Sequence, residues 1–364
     1  MKLFKIVLLV SALIAVMSCS KAERTDIKLL FTIDGNFEPE TVAEYDRKFT
    51  VISDIEEDKD GNIYLFNPRM ERILKLDHNG QYIKYFGSRG TWKGEMMNAV
   101  DFTIMNDTVY VRNNFTPLII RYTLDGEYID DFQYEDGKLH FGEIIKAVSD
   151  DKMVGYLCES AKEGEDIIHT NRLAILDKKY KKTSILREYK AKFDKSNPQF
   201  FEFITRYAFG NGKIYVAENE TDKYRISVYD YDGNKLKEIS KDYSKVMYNS
   251  YESGLIKSMQ LKATRNKDEY DTLQTKQSYK KSINKLFYDK YGRLLVCPSI
   301  KRTEKNQNDF IADVFENDKY VKTIMIPQLK GEDFLHRFDS EIYFIGDRIY
   351  EVIHKEMKVN VYEY

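Results

Sequence analysis

Apolar and polar residues alternate in short runs along most of the chain, and turn residues break the runs. Residues 58–66 read DKDGNIYLF and residues 77–86 read DHNGQYIKYF, with RILKL at 72–76 between them. Val51-Ile52-Ser53-Asp54-Ile55 precedes this set. The pattern predicts four strands joined by tight turns. The Asp-x-x-Gly spacing has a mechanical reason: Asp or Asn accepts tight-turn geometry, and Gly supplies the positive φ that closes a hairpin.

The same order of elements returns five times. Residues 100–111 read VDFTIMNDTVYV, followed by IIRYTLDGEYIDDF at 119–132. A degenerate copy spans 144–186. Further copies begin at ITRYAFGNGKIYVA (204–217), INKLFYDKYGRLLV (283–296) and EIYFIGDRIYEVI (341–353). The second strand is the clearest ruler: Ile63-Tyr64, Val109-Tyr110, Ile214-Tyr215 and Ile349-Tyr350, with Met153-Val154 and Leu294-Leu295 as variants. Repeated four-strand units predict an all-β fold, a six-bladed β-propeller. The last unit ends after three strands, with KVNVYEY at 358–364, while DIKLLFTI at 26–33 is a strand without a unit. That N-terminal strand is expected to complete blade six and close the ring, because an open ring leaves two sheet edges unpaired.

The first residues carry an address. Lys2 and Lys5 precede an apolar stretch from Ile6 to Met17 broken only by Ser11. It is too short for the roughly 20 residues of a membrane-spanning helix. Val16-Met17-Ser18-Cys19 resembles a lipobox, in which cleavage before the Cys is followed by its acylation. The expected organisation is a signal peptide at 1–18, a lipidated tether at 19–25 and a propeller at 26–364. The membrane is then a partner through the lipid on Cys19, and Ser20 in place of an Asp resembles the signal for the outer membrane rather than the inner one.

Residues 84–104, KYFGSRGTWKGEMMNAVDFTI, resemble the linker between NHL-type repeats: an outer strand ending in Phe-Gly, a Gly-rich turn, then the next inner strand. Thr91-Trp92-Lys93 departs from that pattern, where small residues and Pro are usual. With the lipobox, the chain resembles the six-bladed β-propeller lipoproteins of Bacteroidetes-type bacteria over residues 27–364. The resemblance implies a fold and a cell-envelope location and implies little about activity.

Residues 241–282 break the repeat. They hold one Gly and no Pro, and Leu255, Ile256 and Met259 recur at helical spacing, as do Asp268, Thr272 and Lys276. This predicts a helical insertion of one or two helices between blades four and five, either a cap packed on one propeller face or a lid or docking surface.

Composition narrows the function classes. Lys and Arg number 57 against 59 Asp and Glu, so nothing points to nucleic acid as a partner. The three Cys exclude a four-Cys zinc site and a disulfide scaffold. Cys158 and Cys297 each lie in an apolar run, the setting of a small buried thiol, although a pair between them stays open. His78, His140, His169, His336 and His354 form no metal-ligand spacing, and no Gly-x-Ser-x-Gly is present. The run from Glu56 to Gly61 has acids where a calcium loop has them, but Asn67 stands where the bidentate Glu belongs. No cofactor and no metal site are expected.

Loops that follow second strands or precede first strands converge at the mouth of a propeller. Asn67, Arg69, Arg112, Asn113, Asn114, Arg206 and Glu218 fall there, either as ligand contacts or as blade-to-blade hydrogen bonds. Trp92, the single Trp, is either a ligand contact or a wedge between blades. Arg72, Arg121, Arg172 and Arg225 recur at the third strand, which suggests pairing with a neighbouring blade. Together these readings favour an envelope-anchored binding module for a glycan, a peptide or an envelope protein. The alternative is a metal-dependent hydrolase or lactonase with its site at the channel, which would need three or four convergent ligands.

Overall fold

The structure, a computed structural model, describes residues 22–34, 51–113, 117–134, 145–192, 205–264, 279–301, 309–330 and 340–364. The chain starts with two strands, β1 (Glu23–Arg24) and β2 (Lys28–Asp34). Sheet one follows as β3 (Asp54–Glu57), β4 (Ile63–Asn67), β5 (Arg72–Leu76) and β6 (Tyr82–Phe86). Sheet two is β7 (Ala99–Met105), β8 (Thr108–Asn113), β9 (Leu118–Thr123) and β10 (Tyr128–Gln133). Sheet three is β11 (Lys146–Ala147), β12 (Lys152–Glu163), β13 (Asp166–Asp177) and β14 (Lys182–Lys192). Sheet four is β15 (Tyr207–Gly210), β16 (Lys213–Ala217), β17 (Tyr224–Asp230) and β18 (Lys235–Lys241). After α1 (Ser250–Thr264), sheet five is β19 (Ile283–Tyr288), β20 (Leu294–Pro298), β21 (Asp309–Glu316) and β22 (Lys319–Lys330). Sheet six contributes β23 (Ser340–Ile345), β24 (Arg348–Ile353) and β25 (Lys358–Glu363).

Consecutive strands within each sheet form an antiparallel meander, and the whole is an all-β, six-bladed β-propeller. The order in sheet six is β2-β25-β24-β23, with Lys28 opposite Glu363 and Asp34 opposite Lys358. Sheet five gains a strand that the repeat does not announce. β1, within the span expected as tether, pairs in parallel with β22, Glu23 opposite Ile324 and Arg24 opposite Met325.

The core of the described residues divides into six clusters, each drawn from two neighbouring sheets. Tyr64, Phe66 and Phe86 of sheet one meet Phe102, Val109 and Tyr122 of sheet two. Ile33 of β2 joins Tyr350 and Val361 of sheet six against Ile55, Ile63 and Leu65 of sheet one. The second strands run through the middle of this packing, so β4 is buried along its whole length. The ruler tyrosines add directed bonds between sheets. The Tyr64 hydroxyl donates to the Leu124 carbonyl at 3.0 Å, Tyr215 donates to Asp318 at 3.0 Å, and Tyr350 donates to Glu57.

The turns follow one plan. The Asp58 side chain accepts from the amides of Asp60 and Asn62, and Asp77, Asp177, Asp230 and Asp289 do the same at their own turns. Of the acids from 56 to 60, Asp58 caps this turn, whereas Glu56 and Glu57 reach residues of other sheets. The fourth turn position has positive φ, as at Gly61 (78°) and Gly233 (88°). In sheet three Tyr180 holds that place at φ 61°, and its ring is buried against Phe132 and Tyr134. Packing there overrides the preference for glycine.

Three of the third-strand arginines have their ion-pair partners within their own sheets rather than in a neighbouring blade. Arg121 binds Asp130, Arg172 binds Glu159 and Glu188, Arg225 binds Glu220, and Arg72 lies over the Tyr85 ring. Cross-strand neighbours on one face of a pleated sheet lie within reach of a long charged side chain. Cys158 is half-buried and Cys297 is buried, and no disulfide joins the two.

α1 is the only helix among the described residues. Asn249 caps it: the Asn249 amide donates to Glu252 at 2.8 Å, and the Glu252 amide donates to the Asn249 side chain at 2.9 Å. Glu252 also forms a buried ion pair with Lys280, so both flanks of the segment are joined. Ile256 is buried, whereas the side chains of Leu255 and Met259 and all of Asp268, Thr272 and Lys276 lie outside the described residues.

Candidate functional site: the Trp92 loop and the inner-strand charges

The residues expected at the channel mouth are distributed rather than gathered. Asn67, at the end of β4, is buried, and its side chain accepts from the amides of Arg69 and Met70 at 3.1 Å each. It shapes a turn. Arg69 is exposed beside it. Arg112 is buried and doubly bonded to Asp101, Nε to Oδ1 at 3.1 Å and Nη2 to Oδ2 at 2.7 Å. Asn113 is buried and accepts from the Met97 amide at 3.2 Å. Glu218 binds Arg187 and the Ser227 hydroxyl, bridging sheet three to sheet four. Arg206 precedes β15, and its carbonyl accepts from the Ala217 amide. Asn114 and Cys19 lie outside the described residues.

Trp92 stands apart from these. The residue is 82% exposed, so it is not a wedge between blades. The loop that carries it joins β6 to β7 and is tied at several points. The Gly90 amide donates to the Met96 carbonyl at 2.9 Å and the Met96 amide to the Ser88 carbonyl at 2.7 Å. The Trp92 amide donates to Glu95 Oε2 at 2.9 Å, and the Glu95 amide returns a bond to the Trp92 carbonyl. A Cβ at Gly90 would fall on Glu95 Oε2, so any side chain there would displace the carboxylate that accepts from the Trp92 amide. Buried Glu71 accepts from the Asn98 amide and from Arg89 at 3.3 Å, and Met96 is fully buried. The Tyr122 hydroxyl donates to the Gly94 carbonyl at 2.8 Å, which fixes the loop against the outer strands of sheet two. The result is a large aromatic face held in water by a preorganised loop.

A second constellation was not anticipated. The innermost strands of three successive sheets bring their charges together around the ring axis. Lys146 on β11 binds Asp54 at 2.6 Å and Glu56 at 2.5 Å, both on β3. Between them, the Thr103 hydroxyl of β7 donates to Glu56 at 3.3 Å and accepts from the Ala147 amide at 2.9 Å. Asp54 is wholly buried, and its Oδ2 has no protein hydrogen-bond partner. Burial pushes its pKa up to about 8 against the opposing pull of Lys146, with Glu56 adding to the rise. Burial works against the Lys146 charge as well, but the two carboxylates outweigh it and hold its pKa above the ordinary value. The signal in the sequence was a charge interrupting each of three first strands, at Ser53-Asp54-Ile55, Val100-Asp101-Phe102 and Ile145-Lys146-Ala147. Chemically, a neutral Asp54 can donate one hydrogen bond, and Lys146 offsets the charge of Glu56. Among the described residues no group of three His, Cys, Asp or Glu is arranged to hold a metal ion.

No protein-family model matches the chain, and no curated protein matches it. Among solved structures, the chain is similar to a member of the DUF4221 family from Bacteroides vulgatus, with a TM-score of 0.54 and 12% identity. That similarity covers 94% of this chain and 98% of the other. At such identity the likeness concerns the fold. A protein described as exported, from Bacteroides fragilis, aligns with 10% identity over 94% of this chain and 97% of its own, at a TM-score of 0.43. Virginiamycin B lyase from Staphylococcus aureus aligns with 12% identity over 93% and 99%, at 0.41. Neither of the last two bears on function.

Proposed function

We propose that the chain is a binding module of the bacterial cell envelope, anchored by an acylated Cys19 and presenting Trp92 to a glycan. The observation that carries this reading is Trp92 itself, 82% exposed on a loop that hydrogen bonds hold in one shape. Nothing in the packing of the blades needs an indole there. A rigid aromatic face loses little entropy on binding, and it stacks well against the C–H face of a sugar ring. The lipobox-like Val16 to Cys19 supports the anchor. The pairing of β2 with β25 and the core shared by sheets six and one support a ring closed by the N-terminal strand. The capped start of α1 and the Glu252–Lys280 pair support a cap inserted between blades four and five.

The test is a glycan array probed with the full chain and with Trp92→Ala. Saturable binding weakened about tenfold or more by Trp92→Ala, with partial retention in Trp92→Phe, is expected from the loss of a stacking contact. Equal binding by the wild type and Trp92→Ala would remove Trp92 from the site. Binding only to peptides or envelope proteins would reject the glycan.

A further inference from the structure

We propose that the sugar stacked on Trp92 is acidic and carries a carboxylate or sulfate bound by Arg69, Arg89 and Lys93; this rests on the glycan reading above and narrows it to a substrate class. The division of charge around the Trp92 loop carries the inference. Both acids of this surface are turned onto its own backbone. Glu95 accepts from the Trp92 amide at 2.9 Å. Glu71, its side chain 4% exposed, accepts from the Asn98 amide at 2.5 Å and from Arg89 at 3.3 Å. The cations face water instead. The Arg89 side chain is 71% exposed, and Arg69 and Lys93 are exposed with no ion-pair partner among the described residues. The whole chain has 57 Lys and Arg against 59 Asp and Glu, so three outward cations beside two occupied acids are a local feature and not a reflection of composition.

The three cations belong to one surface. Arg89 Nη2 donates to the Arg69 carbonyl at 3.3 Å, which joins the Trp92 loop to the turn between β4 and β5. Lys93 follows Trp92 in the β-turn that the Glu95 amide closes on the Trp92 carbonyl at 2.9 Å. Arg89 precedes Trp92 by three residues, and successive Cα atoms are about 3.8 Å apart, so the two Cα atoms lie within ~11 Å of each other. The Tyr128 ring, 37% exposed, packs on Gly94 of the same turn and offers a sugar chain a second aromatic face. Its hydroxyl donates to Asp131 at 2.6 Å, so that acid is occupied as well. When the C–H face of a pyranose lies on an indole, an acid group at the ring edge projects sideways, and cations beside the aromatic face can meet it. The Arg89 fork suits two oxygens of one carboxylate or sulfate, and its bonds to Glu71 and to the Arg69 carbonyl limit the freedom it loses on binding.

The probes are two pairs that share a ring skeleton and differ in charge: oligogalacturonate with its methyl ester, and a sulfated galactan oligosaccharide with its desulfated form. Calorimetric titration of the full chain, at low and at high salt, gives the affinities. The expected result is saturable binding to the charged member of at least one pair, about tenfold tighter than to its neutral partner and weakened by salt. Arg69→Gln with Lys93→Gln should cost about fivefold in affinity for that probe, and Arg69→Lys with Lys93→Arg should keep most of it. Equal binding of the charged and neutral partners would overturn the acidic class while leaving Trp92 as a glycan contact. Binding to phosphatidylglycerol vesicles but to neither charged sugar would assign the cations to a lipid and overturn it too. Binding to neither charged sugar nor vesicles also overturns it, and the glycan reading falls as well only if the array of neutral sugars is blank.

Discussion

Arg112→Leu should be among the most damaging single substitutions in the chain, although no blade core is touched. The Arg112 and Asp101 side chains are 1% and 3% exposed, and two bonds of 3.1 and 2.7 Å join them. Asp101 Oδ2 also accepts from the Ile145 amide at 3.1 Å, so one carboxylate ties β7 and β8 to the start of sheet three. Without the guanidinium, Asp101 keeps one neutral donor and stays out of water. Removing one partner of a buried ion pair costs about 3–5 kcal/mol, because the remaining charge is uncompensated. Asp101→Asn added to Arg112→Leu removes that charge while an amide oxygen still accepts from Ile145, and about 2 kcal/mol should return. Urea unfolding followed by far-ultraviolet circular dichroism measures both variants, with unchanged slopes required for the comparison. A loss below about 1 kcal/mol for Arg112→Leu, or a double variant no more stable than the single one, would refute the argument.

Two further predictions concern the inner strands and the ring. The folded pKa of Asp54 is raised, so its favourable contribution is fully present below the unfolded value near 4 and is lost as pH rises toward about 8. Asp54→Asn should therefore flatten the stability profile across that window by at most about 1.4 kcal/mol per pH unit, read from melting temperatures; parallel profiles for wild type and variant would contradict it. Deleting residues 20–34 uncovers the edge of β25 and removes Phe31 and Ile33 from the cluster shared with sheet one, so the melting temperature should fall and light scattering rise. A deleted chain that melts like the full one would exclude β2 as the closing strand.

The fold was legible where one strand repeats a short-range rule. The second strands are buried on both faces, which is why Ile63-Tyr64 and Ile349-Tyr350 recur as a ruler, and the Asp turns depend only on residues two and four positions away. Sheet three was the poorest copy because Tyr180 fills a glycine position and β12 and β13 run to 12 residues each. The inner-strand cluster was not legible, since Lys146 meets Asp54 and Glu56 across 92 and 90 residues and only the ring makes them neighbours. The expected site residues show the same limit from the other side. Their position in the repeat was readable, but the partners that consume Arg112 and Glu218 depend on strand register and on the next sheet. Trp92 could be picked out because it departs from its repeat, and the bonds that hold its loop involve Glu71 and Tyr122, far from it in sequence.

Trp92 is the only tryptophan, so the emission of the native protein reports its surroundings without any substitution. In the free chain the emission should lie at the long wavelengths of a hydrated indole and be open to quenching by acrylamide, as its 82% exposure requires. Titration with the glycan that the array identifies should shift the emission to shorter wavelength and protect it from acrylamide, saturating at the same concentration as binding. Binding that saturates with the emission and its quenching unchanged would contradict the proposed site.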